Sequence, residues 1–328
     1  MDTLLRSDTA ACLTVTDISS ANGHTFVLDG PRSSVVEIVE GEVVGSFGRE
    51  GNGPGEISLP SSVCALPSSC ILISDFSGVH SYDRSGAWLG NIVDYFNNPM
   101  LDIHALDGST FIAYKHNIYL ANERTILDWS LSSYDQSGSR LTVFLSDTLS
   151  IERLSATEII NQSLFSFKSA CGDGRVFLFD RNEAQYRVTC CDSAGQLLYA
   201  IEQDADQIEK TEGELASEAE AVNSWLTGLG DSDVMEYDYE PRAWREPVKD
   251  MWVTEDGTQL WVQRGDLDGF QFDIYSAVDG SLLETAEAQL DTTGLWQVDF
   301  FVADSSRVYA ILETRDFEQL LVQFSSSS

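Results

Sequence analysis

The chain has 328 residues, of which 43% are hydrophobic and 10% aromatic, so it can bury a large core and is not intrinsically disordered. Its 53 acidic and 19 basic residues give a formal net charge of −34, a field that repels the phosphates of nucleic acids. We therefore expect no nucleic-acid partner. No apolar run approaches the roughly 20 residues of a membrane-spanning helix, so we expect no membrane span.

The acidic residues are spread along the whole chain, and lysine is rare. A dispersed, lysine-poor acidic surface resembles that of proteins from cells with molar internal salt. There, a Debye length of about 3 Å at 1 M screens the self-repulsion of the fold. We therefore predict a salt-adapted protein, and the composition leaves open an acidic secreted protein from a low-salt organism.

Two short phrases recur along the chain. In the first, an apolar residue and usually Asp precede a polar turn, Gly and further apolar residues: YDRSGAWL from Tyr82, YDQSGSRL from Tyr134, CDSAGQLL from Cys191 and YSAVDGSLL from Tyr275. The second is a turn followed by a short apolar strand: NGHTFVLD from Asn22, PSSCILISD from Pro67, DGSTFIAY from Asp107, GDGRVFLFD from Gly172, DGTQLWVQ from Asp256 and DSSRVYAIL from Asp304. Each phrase is typical of two strand ends joined by a tight turn.

In chain order, the phrases build a unit of four antiparallel strands that is repeated six times. The prediction is an all-β, six-bladed β-propeller that forms a single domain over residues 1–328. The blades are expected near residues 10–48, 60–95, 98–147, 163–203, 247–290 and 294–328. The last unit ends after its third strand, so residues 3–6 are predicted to supply its outer strand and close the ring.

The stretch GREGNGPGEISLP, which begins at Gly48, is predicted to connect the outer strand of one blade to the inner strand of the next. A phosphate-binding loop is excluded because no Lys-Ser or Lys-Thr follows. A contact of Glu56 or of the loop amides with a ligand is the alternative.

Together with the following SVCALPSSCILISDFSGVHSYDRSGAWL, this stretch resembles the NHL-type six-bladed propellers over residues 45–92. Bacteroidota-like bacteria carry many such proteins, often exported and uncharacterised. The resemblance implies the fold, and it implies a periplasmic or cell-surface location if a leader has been removed; otherwise the cytoplasm is expected. It implies little about activity.

Residues 204–246 interrupt the repeat between the fourth and fifth blades. The first half has a helical pattern, and the second half interleaves aromatic rings with arginines: Tyr237, Tyr239, Arg242, Trp244 and Arg245. Such side chains stack on sugars or peptides and bind carboxylates, so we predict a ligand-binding surface here. Alternatively, the rings fasten the insertion to the propeller and the arginines neutralise nearby acids.

The inner strands supply a second candidate site. Polar residues stand in otherwise apolar contexts along them and are expected to converge at the channel mouth: Asp102, His104, Lys168, Asp250 and Asp299. Converging carboxylates suit Ca²⁺, as in the gluconolactonase-like propellers, but the Glu, Asn and Asp set of those enzymes has no residue-by-residue match here. No Ser-His-Asp arrangement is evident.

We therefore predict a non-catalytic module, without assigned catalytic residues, that recognises a peptide, glycan or protein partner on one face. The alternative is a calcium-dependent hydrolase or lactonase at the channel mouth. The chain is expected to be monomeric. Whether Cys64 and Cys70 form a disulfide across their predicted hairpin stays open.

The charge generates a first prediction. The denaturation midpoint should rise between dilute buffer and about 1 M NaCl, because salt screens the repulsion among the acidic side chains. Thermal unfolding followed by circular dichroism measures this, and sucrose serves as a control without ions. A midpoint that does not rise with NaCl would contradict salt adaptation.

Overall fold

A computed structural model describes residues 2–6, 14–94, 100–121, 124–150, 157–158, 167–181, 185–204, 207–229, 239–293, 295–304, 306–314 and 318–324. Within these residues the strands form six four-stranded antiparallel sheets. The innermost strand of each sheet contacts those of its two neighbours, so the sheets stand as blades around one axis. The predicted six-bladed β-propeller is confirmed.

In blade 1 the strands, from the axis outward, are β2 (Val15–Ala21), β3 (His24–Asp29), β4 (Ser34–Val39) and β5 (Glu42–Phe47). Blade 2 contains β6 (Ser62–Ala65), β7 (Cys70–Asp75), β8 (Gly78–Asp83) and β9 (Trp88–Asp94). Blade 3 contains β10 (Met100–Ala105), β11 (Thr110–Ala121), β12 (Arg124–Asp135) and β13 (Arg140–Ser150).

Blade 4 contains β14 (Phe167–Gly172), β15 (Arg175–Asp180), β16 (Tyr186–Asp192) and β17 (Leu197–Gln203). Blade 5 contains β18 (Val248–Val253), β19 (Gln259–Arg264), β20 (Phe270–Ser276) and β21 (Leu282–Ala288). The insertion between these two blades contains the helix α1 (Glu212–Leu229), as its composition predicted.

Blade 6 joins the two ends of the chain. Its first three strands are β22 (Leu295–Asp304), β23 (Arg307–Thr314) and β24 (Gln319–Phe324). The fourth is β1 (Asp2–Arg6), which pairs with β24 as the outermost strand. The predicted closure by residues 3–6 is confirmed, and it ties both termini into one sheet.

The apolar core lies between the blades. The second strand of a blade is buried on both faces, as in β7, where Ile71, Leu72 and Ile73 are at most 1% exposed. In the described part of the chain, six clusters of buried side chains each join two neighbouring blades. One of them joins blade 6 to blade 1 through Tyr309 and Val27. Each blade therefore depends on its neighbours to remove apolar surface from water.

The aspartates of the first recurring phrase organise the turns between third and fourth strands. Oδ1 of Asp135 accepts hydrogen bonds from the backbone N–H groups of Ser137 (2.8 Å) and Ser139 (3.0 Å). Asp83 and Asp192 make the corresponding bonds in blades 2 and 4. These bonds satisfy N–H groups that the tight turn leaves outside the ladder.

Strand direction alternates within a blade, so the connections between blades all lie on one side of the disc, which we call the connection face. The glycine-rich stretch, which links β5 to β6, and the insertion, which links β17 to β18, both lie there. Within the stretch, Glu56 accepts a hydrogen bond from the N–H of Gly53 (2.8 Å) and pairs with Arg49 (2.9 Å). Its carboxylate therefore holds the loop itself.

The structure also bears on the disulfide that the sequence left open and on the expected lack of a membrane span. Cys64 and Cys70 are both free thiols, so no disulfide closes their hairpin. Within the described residues, no helix has the length and apolar character that a membrane span requires.

Gly138 tests the contact between neighbouring blades. It has φ of +77°, and a Cβ there would lie 2.5 Å from the carbonyl oxygen of Ile92 and 2.8 Å from Val93 in blade 2. Gly138→Ala should lower the free energy of unfolding by about 2–5 kcal/mol, because strain of the left-handed conformation adds to overpacking. Urea denaturation in NaCl measures the change.

The matched control is Gly174→Ala. Gly174 has φ of +72° with no atom within 4 Å of the added Cβ, so only the conformational strain of about 1–2 kcal/mol is expected. Equal losses for the two variants would show that the blades do not press on each other at Gly138.

Candidate ligand-binding channel

A cavity of about 730 Å³ follows the propeller axis. Its wall contains residues from all six blades and runs the length of the inner strands, from Val15 to Ser20 on β2 and from Asp250 to Val253 on β18. In the described part of the chain, no further strand pairs with the inner strands on the axial side, so their edges face this space.

Irregular pairing marks the start of several inner strands. The register of β2, β10, β18 and β22 against the second strand of the blade shifts by one residue near the connection face. Asp17, Asp102 and Asp250 each occupy the third position of an inner strand, at or directly after this bulge. Asp102 has φ of 55°, so the chain there is left-handed. A bulge redirects side chains, and here it brings three carboxylates to one level of the channel.

Asp17 ties the first three blades together. Its Oδ2 accepts hydrogen bonds from the Ser62 hydroxyl (2.6 Å) and the N–H of Val63 (2.8 Å). The same hydroxyl oxygen accepts the N–H of Ile103 in blade 3 (3.0 Å). Burial raises the pKa of Asp17 to about 6, against the opposing effects of His104 and Ser62. This residue supplies hydrogen-bond partners that the open strand edges lack.

Asp102 and His104, two residues apart on β10, form an ion pair with 2.7 Å between Oδ1 and Nε2. Their side chains are 52% and 38% exposed, so the pair lies in the channel rather than in the wall. Enclosure in the channel limits hydration of His104 and opposes its protonation, but the Asp102 carboxylate, with help from Asp17 and Asp250, outweighs this effect and raises the pKa of His104 to about 9. His104 is therefore a cation at neutral pH.

Lys168, Asp250 and Asp299 add charged side chains to the lining from blades 4, 5 and 6. Burial raises the pKa of Asp299, and the hydrogen bond from Gln297 and the charge of Lys249 oppose this effect. Gln297 Nε2 donates to Asp299 Oδ2 at 2.5 Å. The structure therefore brings all five predicted channel residues to one cavity, and whether they bind a ligand stays a prediction.

Sequence reasoning missed Asp17, Ser62 and Gln297. Asp17 could have been predicted from the sequence, since alignment of the inner strands places it at the position of Asp102 and Asp250. Ser62 and Gln297 could not have been predicted, because their roles depend on partners in other blades or on the bulge of β22.

Two of the predicted ligand-binding residues of the insertion, Tyr239 and Arg245, make contacts within the protein. The hydroxyl of Tyr239 donates to Glu218 of α1 at 2.8 Å, and this tyrosine is only 7% exposed. Arg245 bridges Glu214 of α1 (2.7 Å) and Asp268 of blade 5 (2.8 Å). These contacts fasten the helix to the propeller, which favours the structural alternative for Tyr239 and Arg245.

The remaining predicted residues of the insertion differ among themselves. Arg242 donates to the backbone carbonyl of Arg181, so it also anchors the segment. Trp244 is 43% exposed and forms a β-bridge with Glu209, so its ring remains accessible. Tyr237 lies outside the described residues.

Arg181 places the insertion beside the channel. This residue lines the cavity, and its guanidinium donates to both carboxylate oxygens of Glu246 at 2.8 Å. Arg242 and Glu246 thus hold the end of the insertion to the wall of blade 4, near the start of the inner strands. A ligand that enters from the connection face therefore passes the insertion.

The calcium alternative needs converging oxygen ligands. Among the residues that the structure describes, no three His, Cys, Asp or Glu side chains are placed to hold one metal ion. Two of the channel acids already have partners, since Asp17 accepts from blade 2 and Asp102 pairs with His104. The described residues do not form a calcium centre, and calcium binding stays a prediction.

Neither a family model nor a curated protein matches the chain. A putative exported protein from Bacteroides fragilis is 14% identical with a TM-score of 0.49, over 97% of this chain and 93% of that one. The calcium-binding protein regucalcin from Agrobacterium tumefaciens is 10% identical with a TM-score of 0.48, over 96% and 92%. A gluconolactonase from Xanthomonas campestris is 10% identical with a TM-score of 0.45, over 95% and 87%. These weak likenesses leave binding and hydrolysis undecided, and NHL membership, salt adaptation and export stay predictions.

His104 supplies a prediction on protonation. Its imidazole should remain charged until the pH approaches about 9. Asp102→Asn should lower the pKa of His104, because it removes the negative charge that stabilises the imidazolium. The imidazole NMR shifts as a function of pH measure the pKa. His116 is the internal control, because burial lowers its pKa. Titration of His104 at its ordinary value in the native protein would contradict the ion pair.

The same shift predicts a pH dependence of stability. A raised folded-state pKa stabilises the fold fully below the ordinary value of 6.5, and this contribution disappears as the pH rises through about 9. The native protein should therefore lose stability relative to His104→Gln across that window. Parallel pH profiles of the two proteins would refute the linkage.

Proposed function

We propose that this propeller is a binding module whose ligand enters the axial channel from the connection face, and that the ligand is a peptide. The single observation that carries the proposal is a cavity of about 730 Å³ lined by charged side chains from separate blades. Its volume lies in the range of about 300–1,000 Å³ that is usual for small-ligand sites. The entrance lies beside the insertion, where the exposed ring of Trp244 offers a further contact surface.

The charges favour a peptide over a neutral glycan. Lys168, Asp250 and Asp299 bring charges of both signs to the cavity. A neutral sugar leaves such groups without compensation, whereas a peptide carries ammonium, carboxylate and amide groups that compensate them.

Two observations favour binding over hydrolysis. His104 is a charged ion-pair partner at neutral pH and so is not available as a general base. Ser77, His80 and Asp75 form a Ser-His-Asp cluster, but the serine and the aspartate both contact Nε2 of the histidine, at 2.8 and 3.0 Å. A catalytic triad uses the two ring nitrogens for these two partners.

Ligand protection of the channel tests the proposal. Thr16 lines the cavity with an exposed side chain, and Thr16→Cys introduces a thiol whose modification by a methanethiosulfonate reagent is followed by mass spectrometry. Peptides should slow this modification, while neutral oligosaccharides should not. Ser139→Cys, at an exposed turn of blade 3, should react at the same rate with and without peptide.

The hydrolase alternative is tested in parallel with gluconolactone, with and without CaCl₂. We expect no turnover above the buffer rate. Calcium-dependent turnover would favour the hydrolase, and failure of peptides to protect the introduced thiol would overturn peptide binding in the channel.

A further inference from the structure

The turns between the first and second strands of the blades lie at the end of the channel opposite the connection face, which we call the far end. Residues of these turns are Asn22 and Gly23 in blade 1, Pro67 in blade 2, Leu106 in blade 3, Gly174 in blade 4 and Glu255 in blade 5. The side-chain amide of Asn22 donates to the carbonyl oxygen of Pro67 (2.9 Å), and the N–H of Gly174 donates to that of Leu106 (2.8 Å). Turns of different blades are therefore bonded directly to each other at this level.

Glu255 joins the turns of three blades. Its Oε1 accepts the N–H of Gly23 in blade 1 (2.7 Å), and its Oε2 accepts from Arg307 in blade 6 (2.8 Å). Its own N–H donates to the carbonyl oxygen of Ala303 in blade 6 (2.7 Å). Blade 6 separates blade 5 from blade 1, and Glu255 lines the cavity, so its bond to Gly23 passes blade 6 on the side of the axis. Because a single side chain spans this separation, the turns of blades 5, 6 and 1 converge on the axis.

The exposure of the cavity wall falls from the connection face to the far end. Near the connection face, Thr16 is exposed and the side chain of Asp102 is 52% exposed. Four residues of the wall at the far end are each at most 3% exposed: Ala65, Leu106, Thr254 and Ala303. Water therefore reaches these positions of the wall near the connection face and hardly reaches these positions at the far end.

The depth of the channel limits how much of a chain it holds. On β2 its wall extends from Val15 to Ser20, which is about 20 Å at about 3.3 Å per residue. An extended peptide advances by about 3.3–3.6 Å per residue, so about six residues enter before the chain reaches the joined turns.

We propose that the channel is closed at the far end and that its ligand is a linear peptide whose free end enters first. An internal segment of a chain enters a channel with one opening only as two strands side by side, which need about 4.8 Å more width than one strand. This inference rests on the proposed function and narrows it to peptides with an unblocked end. Cyclic peptides and internal segments of folded proteins are excluded.

The test begins with a mixture of synthetic hexapeptides of random sequence. The hexapeptide that best protects the thiol introduced by Thr16→Cys is then prepared in four forms: linear, cyclised head to tail, and attached to a folded carrier protein through its N-terminus or through its C-terminus. At ten times its half-protecting concentration, the linear form should slow modification about tenfold by mass action. The cyclic form should not protect. One attached form should protect and the other should not, because only the end that stays outside can bear the carrier.

A variant at the far end tests the direction of entry. Ser20 lines the cavity at the end of β2, and Ser20→Trp fills part of the far end. This change should weaken the hexapeptide about tenfold or more, but a pentapeptide without the entering residue should bind the variant as tightly as the native protein. Removal of the residue at the other end should not restore binding. Ser139→Trp, at an exposed turn of blade 3, is the matched control and should change nothing. Calorimetric titration measures the affinities, and circular dichroism confirms that the variants fold.

The outcomes separate this inference from the proposed function. Equal protection by the linear and cyclic forms, protection by both attached forms or by neither, or full affinity of the hexapeptide for the Ser20→Trp variant would overturn end-first binding while peptide binding stands. If no peptide protects the thiol introduced by Thr16→Cys, the proposed function itself fails.

Discussion

Burial of both faces of each blade against its neighbours is the constraint on which this structure depends. A four-stranded sheet with apolar residues on both sides, such as β7 with its run of Ile71, Leu72 and Ile73, has no stable form in water by itself. A closed ring gives every face a partner, and the cluster of Val27 with Tyr309 provides the last contact. The pairing of β1 with β24 then prevents the ring from opening at its ends.

Ring closure also creates the channel and its polarity. The six inner strands belong to separate sheets and line the axis, so their edge groups must find partners outside the ladder of their own blade. Side chains supply some of them, as when Asp17 accepts from Ser62 and Val63 of the next blade. The same demand explains why polar residues occur in the middle of apolar strands. Other charged side chains of the lining, among them Lys168, Asp250 and Asp299, belong to the cavity that we propose as the ligand site.

In the insertion, residue types that are typical of a binding surface also attach the segment to the propeller. Its arginines and aromatic rings have the character of a binding surface, yet Arg245 spans α1 and blade 5, and Tyr239 is buried against Glu218. A long segment on a rigid ring must be fastened to it, because ordering a chain costs conformational entropy that contacts have to offset. These residues therefore position the segment beside the channel entrance, and Trp244 is exposed.

Local sequence patterns were sufficient to predict the number of blades and the helix of the insertion, because the repeating turns and the apolar strands recur at short range. The last blade lacks a fourth strand in the sequence order, and this predicted the closure by residues 3–6. The candidate site was accessible only in part. Asp102, His104, Lys168 and Asp250 stood out as polar residues in apolar strands, but the partner of each depends on where the other blades place their own side chains. The pairing of Asp102 with His104, the hydrogen bonds of Asp17 to blade 2 and the engagement of Arg242 and Arg245 were decided by the tertiary structure. The physical reason is that strand pattern reports on local burial, whereas compensation of charge depends on distances between residues that are far apart in the chain.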